Sequence, residues 1–173
     1  YSGARYRRRV NYLAHLLLSD DDPACRLGNL LGDHAAGRLE SLDYPPDVLR
    51  GIRMHRAIDA FTDAHPINRE SAELLKTGVG RYAPILVDMF HDYFLARHFQ
   101  SFYDQTLQDY AAFIYDELAP PLVPVPDSLA SFINAMRSHD ILSSYQHRYG
   151  IEEALLRIGR RTRHNCDLVT PGM

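Results

Sequence analysis

Apolar positions recur along this chain at three- and four-residue intervals, and no stretch shows the strict alternation of a half-buried strand. The pattern predicts a short helix over 11–18, a break at Asp20 to Pro23, and a second helix over about 24–36 closed by Gly37. Tyr44-Pro45-Pro46-Asp47 introduces a third helix running to about Ala64, with proline tolerated in the first turn. Pro66 opens a fourth through Lys76, ended by Gly78 and Gly80. A long, strongly apolar helix is expected over 82–102, another over 107–118, and a rigid linker where Pro120, Pro121, Pro124 and Pro126 cluster. Helices over 127–142 and 151–163 complete the prediction. The expected fold is an all-α, single-domain helical bundle over 10–173, since the segment after the prolines is too small to fold alone.

Composition narrows the class. Of 173 residues, 46% are hydrophobic, enough for a packed core. The net charge of −3 gives no global positive field for nucleic acid. Cys25 and Cys166 form no zinc-ligand spacing and no CxxC, which fits a reducing, cytoplasmic setting, although a single bridge stays open. Arg5, Arg7, Arg8 and Arg9 before the apolar run 12–18 imitate a signal peptide. His15 interrupts that run, Asp20-Asp21-Asp22 follows it, and no cleavage pattern appears. Residues 1–9 are expected to be a basic leader outside the folded unit. No stretch has the length of a membrane span.

The chemistry lies in spacing. Asn11/His15, Asn29/Asp33, His55/Asp59 and Asp88/Asp92 are each four residues apart, and Asp63 extends the third pair by a turn. Such residues stack on one helical face. At about 100° per residue, His55 and Asp59 share a side with Val48 and Ile52, and Asp88 and Asp92 share one with Ile85, Met89, Ala96 and Phe99. Carboxylates on inward faces need a cation, a donor or a metal. Asp33 lies on the flank of its helix. Imidazole plus hard oxygen, with no thiolate, suits manganese, magnesium or iron better than structural zinc. Such an ion can polarise a phosphoryl oxygen and acidify a bound water. Arg56 could clamp phosphate oxygens, and Arg50 and Arg53 would widen a positive rim.

Plainer readings stand beside this one. A single i,i+4 polar pair is common on any solvated helix. Asp63 could pair with Arg56 or cap the next helix. His65 before Pro66 reads as a turn residue, and His34 as a satisfied core histidine.

Asn11-Tyr12-Leu13-Ala14-His15 and Gly28-Asn29-Leu30-Leu31-Gly32-Asp33 resemble the opening motifs of the bacterial acyl carrier protein phosphodiesterases. The blocks His55-Arg56-Ala57-Ile58-Asp59-Ala60-Phe61-Thr62-Asp63-Ala64-His65-Pro66 and Asp88 to His98 resemble two more, in matching order across about residues 11 to 100. Val10 stands where the family has its initiating Met, His91 where an aromatic is expected, and Tyr93 where a His is expected.

The resemblance implies an all-helical relative of the HD metal phosphohydrolases that favours manganese. It would hydrolyse the phosphodiester joining 4′-phosphopantetheine to a serine of holo acyl carrier protein, leaving the apo form. In this reading His55, Asp59, Asp88 and Asp92, with Asp33 a further candidate, ligate the ion, and Arg56 stabilises the developing charge. His15 or His65 protonates the departing serine oxygen. Asn11, Asn29, Arg53 and Asp63 contact substrate or orient ligands. Carrier proteins are acidic, so a basic rim from Arg50, Arg53, Arg69 and Arg81 is expected, with Arg157, Arg160, Arg161 and Arg163 as a second cluster. Three rivals remain: a metal phosphohydrolase acting on nucleotides or small phosphoesters, a non-catalytic protein that binds a carrier protein or a phosphate ligand, and a helical scaffold whose acids pair with its arginines.

Overall fold

The computed structural model describes residues 11–161, which are helical with no strand. The leader at 1–9, Arg163 and Cys166 lie outside the described residues.

Proline and small caps fix most of the helix starts. Helix α1 (Tyr12–Leu17) follows Asn11, whose side chain makes no cap. Helix α2 (Pro23–Leu31) is capped by Asp22, which accepts from the Cys25 amide at 2.7 Å. Helix α3 (Pro46–Ala64) opens on Pro46, and α4 (Pro66–Val79) on Pro66 with His65 as its cap. Gly80, at φ 57°, stops α4. A 3₁₀ turn leads into α5 (Ala83–Arg97), and another, Phe99–Ser101, follows it. Helix α6 (Leu107–Leu118) is capped by Thr106. Helices α7 (Asp127–Ser138), α8 (Ile141–Ser144) and α9 (Arg148–Arg161) complete the described fold.

Several boundaries differ from the sequence expectation. Helix α2 ends at Leu31, because residues 32–34 turn toward α3; Gly37, at φ 95°, lies beyond that turn. Gly78 sits inside α4 and does not end it. Helix α5 stops at Arg97 and tightens into the 3₁₀ turn. The predicted helix over 127–142 breaks at Asp140, a non-glycine residue at φ 45°. The Tyr115 hydroxyl pins that break by donating to Asp140 Oδ1 (2.9 Å) and accepting from the Leu142 amide (2.8 Å).

One contiguous apolar core runs from Leu13 and Leu16 through Leu86 and Met89 to Leu142 and Leu155. Helix α5 is central and packs on α1, α4 and α9. Helices α2 and α3 form the most extensive pairing. Buried Arg26 ties this front pair to the back by an ion pair with Glu117 at 2.6 Å. No described helix is long and apolar enough to cross a membrane.

Candidate metal centre

Helix α1 is too short to be stable alone, so something must hold it. Asp92 of α5 does so. Its Oδ2 accepts from the Leu13 amide and its Oδ1 from the Ala14 amide, both at 2.9 Å. A residue 79 positions away thus supplies the cap that Asn11 does not. Burial pushes the Asp92 carboxyl up to about 8; the two amides oppose that shift and nearby Asp88 adds to it.

On the helix so anchored, His15 is buried and fixed by Asn29. The Asn29 Nδ2 donates to the His15 carbonyl (2.9 Å) and to Ser19 Oγ (2.8 Å). Asn29 Oδ1 is therefore the acceptor facing His15 Nδ1 at 2.8 Å, so Nδ1 carries a proton and Nε2 is the ring nitrogen left to face the site. Nε2 lies 3.2 Å from Asp59 Oδ1, yet off the line of a hydrogen bond.

Helix α3 brings the second imidazole. Two glycines let α2 and α3 meet backbone to backbone: a Cβ on Gly28 would stand 2.1 Å from the Val48 carbonyl oxygen, and one on Gly51 2.0 Å from that of Cys25. Gly32 leaves room for the His55 ring, which a Cβ there would meet at 2.2 Å. The two imidazoles stack with centroids 4.3 Å apart. His55 Nε2 lies 3.3 Å from Asp59 Oδ2 and 3.7 Å from Asp33 Oδ1. Burial works to raise Asp59, but hydrogen bonds and charge from His15 and His55 hold it well below the usual carboxylate range.

His15, His55 and Asp59 each offer a donor atom, all within 4.8 Å of one another. Donors about 2.1 Å from one shared ion stand roughly 3.0–3.5 Å apart, close to the spacings around Asp59. A buried imidazole nitrogen without an aligned hydrogen-bond partner, beside an ionised carboxylate, is the chemistry that a divalent cation satisfies.

The structure sorts the sequence candidates. Asp33, His55 and Asp59 come together, and His15, expected as a proton donor, joins them. Asp92, expected as a ligand, points instead at the amides of α1; both roles require an inward carboxylate, so the pattern could not separate them. Asp88 is buried one turn away on α5 and is not among the converging donors. Arg56 donates to the carbonyl oxygens of Ala35 (3.0 Å) and Gly37 (3.1 Å). Arg53 and Asp63 are exposed. His65 caps α4, with Nδ1 accepting from the Ile67 amide at 3.3 Å. Asn11 is buried at the start of α1.

His91 is half-buried, and burial lowers its pKa. Tyr93 accepts from Arg97 at 2.7 Å. The expected basic rim is thinner than its arginine count suggests. Arg50 lies within 3.5 Å of Asp20, Asp22 and Asp47, Arg69 donates to the Asp63 carbonyl, and Arg81 lies over the Tyr82 ring. Gly28 and Gly32 entered the sequence reading only as motif residues and Gly51 not at all, although glycine inside a predicted helix signals close packing.

Residues 10–171 match the profile of the family described as acyl carrier protein phosphodiesterase. The chain is similar to proteins named acyl carrier protein phosphodiesterase from Escherichia coli strains O139:H28, K12/DH10B and O157:H7 (EC4115). Each is 39% identical over 126 residues, covering 72% of this chain and 63% of the relative. The match thus spans somewhat less than two thirds of the length of those relatives. No solved structure matches. With nearly its whole length matched, the chain belongs to the acyl carrier protein phosphodiesterase family.

Proposed function

We propose that this chain is a metal-dependent phosphodiesterase that removes 4′-phosphopantetheine from holo acyl carrier protein. One observation carries the proposal: His15 from one family motif, and His55 and Asp59 from another, converge on a single cation-sized point. These three residues would hold a divalent ion, manganese first and magnesium or iron next, with Asp33 in reach through His55. When bound, such an ion supplies positive charge to phosphoryl oxygens and acidifies water.

The remaining work belongs to the chain. Asn29 fixes the His15 ring through Nδ1, which leaves Nε2 beside Asp59. Arg56, braced on the Ala35 and Gly37 carbonyls, would hold its charge at the edge of the site, where the phosphodiester gains negative charge. Exposed Arg53, one turn before it, would meet the acidic face of a carrier protein. His65, at the elbow between α3 and α4, would protonate the departing serine oxygen. The His55/Asp59 pair on one helix is also what supports a kinship with HD phosphohydrolases. The cytoplasm, where carrier proteins work, is the proposed location.

Intact-protein mass spectrometry of holo acyl carrier protein tests the proposal. Loss of the phosphopantetheine mass with manganese, abolished by chelator, is the expected result. Turnover of small phosphodiesters with an untouched carrier protein would replace it with a small-phosphoester hydrolase. Carrier binding without mass loss in either condition would leave a binding protein.

A further inference from the structure

A concavity outside the candidate metal centre has no part in any of the functional roles above. It measures about 200 Å³ and lies among α1, α5, α7, α8 and α9. Met89, Phe132, Ile141 and Ile158 form apolar walls. Tyr12 and Tyr145 add aromatic edges, and Tyr12 packs on Phe132 with ring centroids 4.3 Å apart. The polar positions are few and spaced: Ser128, Ser131 and Arg157, whose Nε is held by the Glu153 carbonyl at 3.2 Å.

Two connections run from this cavity toward the candidate metal centre. Tyr12 sits on the same short helix as His15, three residues before it. Ser128 Oγ is 3.1 Å from Nδ1 of His34, the residue that follows Asp33. A molecule with its phosphate at His15, His55 and Asp59 could therefore run past His34 into the cavity.

We infer that this cavity seats the pantetheine arm of the substrate, an extended chain of amides ending in a thiol. The inference rests on the phosphodiesterase reading above and names the subsite for the non-reacting end of the same substrate. Pockets for drug-sized ligands run to roughly 300–1,000 Å³, so this smaller one suits a narrow chain better than a nucleotide. Apolar walls with isolated hydroxyls and one guanidinium fit methylene and dimethyl groups separated by amides. Binding energy from this remote arm would then orient the phosphodiester at the metal centre.

Calorimetric titration of free pantetheine into chelator-treated protein tests the inference without relying on hydrolysis. Saturable binding is expected, weakened at least about tenfold in Ala135→Phe and in Ser131→Phe, which fill the cavity from its wall and from its rim. A second variant guards against misfolding in the first, and circular dichroism checks both. Octanoate binding in place of pantetheine would overturn the inference, as would pantetheine binding that both variants leave unchanged or no binding by the wild type. Pantetheine binding by a protein that leaves holo carrier protein intact would keep the subsite and remove the phosphodiesterase. Hydrolysis at wild-type rates by both filled variants would do the reverse.

Discussion

Asp59 and Asp92 make an instructive pair. Each lies four residues after another polar residue on an inward helical face, and in sequence they look alike. Asp59 ends 41% exposed between two imidazoles and is held as a carboxylate by them. Asp92 ends fully buried against two backbone amides, and burial drives its pKa up. One carboxylate faces two imidazoles and solvent; the other completes a helix. Helical periodicity reveals that an acid is turned inward, and only the partner it meets decides between chemistry and architecture.

The sharpest way to break this contrast is to truncate both. Asp59→Ala is expected to cut kcat/KM for holo carrier protein by at least about 10³-fold, about 4 kcal/mol of barrier. Its urea midpoint should fall by less than that of Asp92→Ala, since the 41% exposed side chain makes solvent-screened contacts with the two imidazoles. Asp92→Ala leaves two amides without their cap and should cost about 3 kcal/mol of stability in urea titration. Wild-type stability in Asp92→Ala, combined with lost metal binding, would return Asp92 to the ligand set.

Gly32→Ala probes the boundary between the two roles. The new methyl would displace the His55 ring, so metal affinity should fall about 10- to 100-fold. The overpacking should cost about 1–3 kcal/mol. Isothermal titration with manganese and thermal melting separate those effects.

The smallest expected effect concerns pH. Asp92 has a folded pKa of about 8 against an ordinary value of 3.8. The stability it contributes is therefore full below about pH 4 and is lost as pH rises through 8. Asp59, depressed, contributes in the opposite sense: its share is present above its ordinary value and lost as pH falls toward its lower folded pKa. Between pH 6 and 9 the metal-free wild type should thus lose Tm more steeply than Asp92→Asn, which has no carboxyl to ionise. Equal slopes would show that the amides of α1 keep Asp92 ionised throughout.

The helices were largely legible where a proline or a hydroxyl announces the turn, as at Pro46, Pro66 and Thr106. They were not where tertiary contact overrides the local signal. Nothing in the sequence around Asp140 requires a left-handed residue; Tyr115 from another helix imposes it. The site followed the same division. His55 and Asp59 could be paired because one helix carries both. The place of His15 depends on Asn29 of α2 and Asp92 of α5, and such long-range partners leave no periodic trace. Glycine was undervalued for a related reason: its meaning at positions 28, 32 and 51 lies in the backbone or ring opposite.

The distant cap on α1 also sets an order of assembly. Helices α2 and α3 are neighbours in the chain, so Asp33, His55 and Asp59 can meet as soon as those segments collapse together. His15 cannot join them on the same schedule. Its six-residue helix stays poorly formed until residue 92, far downstream, has been synthesised and α5 has docked. A nascent or misfolded chain therefore carries only part of the donor set, and a complete cation site becomes a signature of a finished domain.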